Sequence, residues 1–283
     1  MSACGQVHPA LNCGKRGMKI IRNQGKETEK VKKESRNKKK QEKTQGREKS
    51  KAIEKKETEK KKGTGKMSEI REPLYYAKAS VETMMRKFEA ADLPPKGRFH
   101  YHQGVFLSGV YKTYEACKDE RYFQYRKDWV DSCIDEKGEI RQMDKGQLDD
   151  IQPGILLFPL LDRTGDEKYK KVLDALMELI RHFPRNREGG FWHKTTCAEQ
   201  MWLAGLYMGG PIAAEYGARF HQPEFLDITV EQALLMEKKT RDEKTGLWYH
   251  AWDSIKQKEW ADPVTGLSPE FWGRSIGWVQ VAV

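Results

Sequence analysis

Asp149 and Asp150, adjacent in the stretch GQLDDIQPG, are the residues of this 283-residue sequence best suited to acid–base work. A carboxyl group held against a reacting atom can give up and recover a proton. The plainer use of an aspartate ahead of a helix is to cap it by accepting a first-turn N–H, and one of the two is expected to do that. Neighbours in sequence point apart, so at most one can face a shared pocket, and Asp149 is the favoured one. Downstream, GGFWHK sets His193 and Lys194 beside Trp192, and GLWYHAW sets His250 among aromatics in a rhyming phrase. A lone histidine is usually a surface or core residue, but the rhyme gives both histidines a claim as ligand contacts. No His-Glu-x-x-His or equivalent spacing occurs, so no metal is expected. SPEFWGRSIGWV adds Trp272, Arg274 and Trp278. An arginine beside helix N-terminal amides can grip a carboxylate with two prongs, and aromatic faces around it suit the C–H face of a sugar. Packing of these aromatics in the core, above all of Trp278, is the competing use.

Those residues are far apart in sequence, so the elements between them must bring them together. From Pro73 onward apolar residues recur at helical spacing, as in PLYYAKASVETMMRKF and KYKKVLDALMELIRHF, and no alternation is long enough for a sheet. Similar phrases open at Gly104, Gly154 and Gly205, 50 and 51 residues apart. Each has a Gly- and Ala-rich apolar helix, a short polar turn, and an amphipathic helix ending near EKGE, REGG or EKTG. A helix apolar on most sides is buried and a striped one covers it, so the repeat predicts an all-α toroid of helical hairpins. In such a ring the inner helices run the same way, and every outer-to-inner connection opens on one end. His102 and Gln103 then fall at the mouth ahead of the first inner helix, and Asp149 and Asp150 ahead of the second. His193 and Lys194 precede the third, and His250, Trp272 and Arg274 the fourth.

Charge divides the chain. Residues 1–66 hold 22 Lys/Arg against 8 Glu, a net of +14, while residues 67–283 hold 30 Lys/Arg against 34 Asp/Glu, a net of −4. The Lys-rich segment has too few apolar residues to offset the entropy of ordering, so 1–66 is expected to be a disordered tail ahead of a folded 67–283. Glutamates are interspersed and aromatics are absent between the lysines, which argues against specific nucleic-acid binding. A solubilising tail, an upstream start ahead of Met67, and a basic interaction segment are the readings left. No apolar run marks a signal peptide or a membrane span. Five cysteines without a C-x-x-C pair suggest reduced thiols and a cytoplasmic protein.

Several phrases in order, RFHYHQGVFLSG, GQLDDIQPG, GGFWHK, QMWLAGLYMGGP, GLWYHAW and TGLSPEFWGRSIGW, resemble the unsaturated rhamnogalacturonyl hydrolases, glycoside hydrolase family 105. The resemblance runs from about Pro73 to Val283. It implies a six-hairpin (α/α)6 barrel, apparently truncated here at the C-terminus. It also implies a small anionic substrate from pectin, an unsaturated galacturonate joined to rhamnose, with no cofactor. Such enzymes hydrate the C4=C5 double bond: an aspartic acid protonates C4, then as carboxylate takes a proton from the water attacking C5, and the hemiketal opens. Asp149 matches the family's second active-site aspartate. His193 and His250 match its pocket histidines, and Trp272, Arg274 and Trp278 match substrate-lining positions; His102 and Lys194 are carried as substrate contacts from their place at the mouth. Met208 reads first as packing and is carried as a substrate contact as well. The proton-donating aspartate belongs where this chain has Ala204. Glu199, five residues earlier, would point about 140° away around a helix. A weakened or inactive hydrolase and a non-catalytic binder of unsaturated uronates are therefore both expected readings. Eight helices are counted, and an incomplete ring should leave an apolar edge that favours self-association.

Overall fold

A computed structural model describes residues 71–282. The expected tail, 1–66, with its disorder and its nucleic-acid and start-site readings, lies outside the described residues. Residues 71–283 form a compact unit by themselves.

Eight α-helices make up the described part. The outer ones are α1 (Pro73–Lys87), α3 (Glu120–Cys133), α5 (Glu167–His182) and α7 (Pro223–Thr240). The inner ones are α2 (Tyr101–Cys117), α4 (Leu157–Thr164), α6 (Ala204–Arg219) and α8 (Gly273–Ala282). α2 packs on the 3-10 segment Gln152–Leu156 that leads into α4, and α6 packs on that segment and on α8. Each inner helix also packs on the outer helix that follows it, in the pairs α2–α3, α4–α5 and α6–α7. The alternation read from the repeat is present.

Local chemistry explains each reversal. At the inner-to-outer turns a left-handed residue ends one helix and the next residue opens the following one. Lys118 at φ 56° precedes Asp119, which accepts the Arg121 N–H at 3.1 Å. Gly165 at φ 66° precedes Asp166, which accepts the Lys168 N–H at 3.0 Å. These are N-caps that satisfy first-turn donors. The outer-to-inner returns begin with a second device, a short hairpin closed by one bridge. Ile134 pairs with Ile140, Arg185 with Phe191, and Arg241 with Trp248. Asp135, Asn186 and Asp242 turn their side chains onto the hairpin amides. Gly138, Gly189 and Gly246 supply the positive φ that each turn needs.

Two differences from the sequence reading have physical causes. The second inner element starts as a 3-10 turn rather than an α-helix, because Pro153 opens it and Gly154 lies against Ile212 and Leu176 with no room for a Cβ. A two-stranded sheet, β1 (Gln200–Trp202) antiparallel to β2 (Ala251–Asp253), joins the third and fourth returns. Three-residue strands are too short to show alternation.

The main core runs between inner and outer layers through Trp129, Tyr169, Leu173, Phe158, Ile212 and Phe225. A smaller core under the sheet holds Met201, Leu203, Leu206, Met236, Trp252 and Val279. On α7, Leu226, Val230 and Leu234 form an exposed apolar row four residues apart, where an outer helix is ordinarily polar.

The inner-layer contact at Gly104 is close: an added Cβ would stand 2.0 Å from Gln152 Oε1 and 3.1 Å from Pro153 Cα. Gly104→Ala is therefore expected to cost about 1–3 kcal/mol in urea unfolding. Gly109→Ala, on the same helix with open space around it, should instead be neutral or gain up to about 1 kcal/mol.

Candidate functional site

The returns meet at one end, and backbone hydrogen bonds tie them into a continuous seam. Gln147 bridges Lys194, and the Leu148 N–H donates to the His193 carbonyl at 3.2 Å. The His193 N–H donates to Gln200, β1 pairs with β2, and the Leu203 N–H donates to the His250 carbonyl at 3.0 Å. The His250 N–H in turn donates to Glu270, and Tyr249 bridges Phe271. Side chains from four distant stretches are thereby held at fixed spacing.

Asp149 and Asp150 point apart, and neither caps a helix. Asp150 is fully buried. It pairs with His100 Nδ1 and with Arg98 at 3.4 Å, and accepts the Asp144 N–H at 2.7 Å. This is a structural use, so the expected cap is replaced by a buried ion pair. Asp149 turns to the third return: His193 Nε2 stands 3.2 Å from one oxygen and Lys194 Nζ 2.9 Å from the other. Burial by itself raises the Asp149 pKa. The hydrogen bond and charge of His193, followed by those of Lys194, outweigh it and hold the carboxyl well below the usual carboxylate range.

His193 is buried and stacks on Trp202 with centroids 4.7 Å apart. Its Nδ1 has no hydrogen-bond partner and faces Gly205, where a Cβ would come within 3.5 Å. Trp202 continues to His250 at 5.6 Å, His250 meets Trp272 edge-on at 5.0 Å, and the Arg274 guanidinium covers Trp272 at 3.8 Å. Asp149, His193, Lys194, His250, Trp272 and Arg274 are thus linked in one run of contacts. His102 lies in the first turn of α2 against His100 and Tyr101; burial first, then the neighbouring His100, lowers its pKa, and Asp149 only partly opposes them.

Other candidates lie elsewhere. Met208 is 1% exposed and packs in the main core one turn below Ala204. Gln103 is buried and donates to the Leu93 and Pro95 carbonyls, tying down the loop before α2. Trp278 stacks on Tyr207 at 4.8 Å and meets Tyr101 edge-on, which links α8 to residues of α6 and α2. Glu199 is not on α6; it sits at φ 63° ahead of β1, and its carboxylate accepts the Ser254 hydroxyl at 2.6 Å. Ala204 is buried as the first residue of α6, between Leu203, tied to His250, and Gly205, beside His193.

Sequence reasoning passed over Trp202, read as packing, and Gly205. The only signal for Trp202 was its place between the two rhyming histidine phrases. An aromatic cleft of ≈ 530 Å³ beside His250, lined by Trp202, Trp260, Phe271 and Trp272, was missed as well. A second groove, of ≈ 680 Å³, runs between α5 and residues 138–145 and includes none of the candidate residues. Among the described residues no group of three or more His, Cys, Asp or Glu is arranged to hold a metal ion, and no helix is long and apolar enough to cross a membrane.

Inner helices that deliver cations, carboxylates and aromatics to one rim make the described part a helical toroid. The profile of Glycosyl Hydrolase Family 88 matches residues 76–283, and the chain belongs to that family. The unsaturated rhamnogalacturonyl hydrolase YesR of Bacillus subtilis (strain 168) is 28% identical over 186 residues, which cover 64% of this chain and 51% of that protein. The C. acetobutylicum ATCC 824 glycoside hydrolase from family 105 superposes with a TM-score of 0.68 at 37% identity, covering 73% of this chain and 57% of that one. An inactive variant of the α-1,6-mannanase GH76A of Salegentibacter sp. HEL1_6 shares the fold alone, at 18% identity and a TM-score of 0.52 over 64% of this chain and 52% of that one. The expected family resemblance and the helical toroid are both borne out. The chain spans about half the length of YesR and of the C. acetobutylicum enzyme.

Burial, then the charges of His193 and Arg274, lower the His250 pKa below its ordinary value. The unfolded chain, with histidine near about 6.5, then takes up the proton more readily than the folded one. Stability from this group is full above about pH 6.5 and falls as the pH drops below it. The melting temperature should decline from about pH 7.5 to about pH 5.5, and decline less in His250→Gln. Equal declines would remove His250 as a cause. The Asp149 contribution has the same sign but is lost only in stronger acid, below about pH 3.9.

Proposed function

We propose that the rim binds an unsaturated galacturonyl-rhamnose disaccharide from pectin breakdown, and that hydration of its C4=C5 bond is weakened or abolished at Ala204. The observation that carries this reading is the run Asp149–His193–Trp202–His250–Trp272–Arg274 beside the first turn of α6. Arg274 is exposed, and the Trp272 ring is the contact its guanidinium makes among the described residues, so it can receive the sugar carboxylate. Trp272, more than a third exposed, offers a face to the ring. His250, half-buried at the α6 terminus, orients a hydroxyl, and His193 behind it holds Asp149 in place.

Hydration needs a group that gives a proton to C4 and then accepts one from the water attacking C5. Asp149 does not supply that acid. His193 and Lys194 keep it ionised at neutral pH, so it stays an acceptor that can position hydroxyls or water. Ala204 has no proton to give. Loss of one placed general acid lowers the rate by roughly 10²–10⁴-fold.

A second reading, a non-catalytic binder of unsaturated uronates, is favoured by the same two facts: the cations and aromatics are present and the acid is absent. Among the described residues Cys117, Cys133 and Cys197 are free thiols, which supports a reducing, cytoplasmic setting for either reading.

Loss of the double bond's ultraviolet absorbance, followed alongside calorimetric binding, tests the assignment. The chain should bind the disaccharide with little or no turnover, and Ala204→Asp should raise turnover by about 10²-fold or more. Binding with no gain in Ala204→Asp would leave the binder reading and remove the role given to position 204. Absence of binding would remove both.

A further inference from the structure

Positive charge at the rim outnumbers the carboxylates that balance it. Lys194 is matched by Asp149, whose carboxylate lies 2.9 Å from its Nζ. Arg274 is exposed, lies on the Trp272 ring at 3.8 Å, and has no carboxylate partner among the described residues. His250 meets the same ring edge-on at 5.0 Å. One indole therefore separates a permanent cation from a titratable base.

The His250 imidazole is placed to change its charge. Its Nδ1 is shut off from solvent and has no hydrogen-bond partner. Its backbone N–H donates to the Glu270 carbonyl at 3.3 Å and its carbonyl accepts the Leu203 N–H at 3.0 Å, so the residue is held at the rim. The groups that face it are Trp202 from β1, His193 from the third return, and Trp272 and Arg274 from the start of α8. Glu270 lines the same cleft but is exposed, where screening weakens its pull. In the free chain, burial and then the charges of His193 and Arg274 disfavour the protonated ring. A carboxylate seated on Arg274 reverses the last of these effects. It cancels the guanidinium's repulsion and adds an opposite charge, which raises the proton affinity of a neighbouring base by about tenfold or more.

We propose that the rim is a proton-linked anion site, in which a carboxylate bound at Arg274 draws a proton from solvent onto the His250 imidazole. The inference rests on the proposed function, which seats the uronate carboxylate at Arg274. The bound state holds the proton more tightly than the free one, so affinity for the uronate rises as the pH falls through the histidine range. Above that range His250 is neutral in both states and the dependence vanishes. The protonated ring donates from both nitrogens. An uncharged sugar brings no charge to Arg274 and gains nothing from the linkage.

Calorimetry on the full chain with two probes tests this: the methyl glycoside of unsaturated galacturonate, and the same compound with its carboxyl group methylated. At about pH 6, in two buffers of different ionisation enthalpy, the acid should take up about half a proton on binding, and the ester none. The Kd of the acid should fall about fivefold from about pH 7.5 to about pH 5.5, while the ester shows no such trend. His250→Gln should lose the uptake and flatten the pH dependence. His182→Gln, on α5 and paired with Glu178 away from the rim, should keep both. Comparison of acid with ester in the parent chain needs no variant to fold. If the acid binds without proton uptake, or the ester takes up as much, the linkage is wrong while uronate binding stands. Uptake that survives in His250→Gln would overturn the assignment to His250. If the parent chain binds neither probe, the uronate reading of the site fails and the linkage with it.

Discussion

Two adjacent carboxylates buried back to back set the geometry of the rim. A buried charge is costly unless paired and hydrogen-bonded, and loss of one partner leaves the other uncompensated. Asp150 is satisfied by Arg98, His100 and the Asp144 amide, which fixes the entry to α2. Asp149 is satisfied by His193 and Lys194, which fixes the return into α6. One dipeptide therefore pins the starts of three inner elements, and the aromatic run from Trp202 to Trp272 is built on the return that Asp149 holds.

The same pinning creates a local field unlike that of the whole folded part. Residues 67–283 carry a net charge of −4, yet Lys194 and Arg274 are gathered at the rim with three histidines. Placing Asp149 beneath Lys194 balances that charge internally, so Arg274 is the rim cation that has no carboxylate partner among the described residues.

The repeat was legible in the sequence because its devices are local. Glycines at 50- and 51-residue spacing, Asp after a left-handed residue, and Asx-Gly turns are each decided within a few residues. Periodicity also located the inner and outer faces. It could not give depth, which is why Met208 lies in the core and Gln103 serves the loop beneath it. Glu199 was given a helical angle although α6 begins five residues later. The seam between the returns had no sequence period, since it consists of single bridges and three-residue strands. Trp260 sits in a polar, aperiodic connection, and its only trace was the flanking pair of aspartates with Gly266.

The two ends of the ring differ in how they are sewn. At the rim, each return is bonded to the next, so a length change in one would be transmitted to its neighbours. At the far end the inner-to-outer turns are short, those at Asp119 and Asp166 are separately capped, and Gly165 has open space around its α-carbon. Reporter groups, surface tethers or grafted loops are therefore best joined at Gly165, where the chain can be lengthened without disturbing the seam.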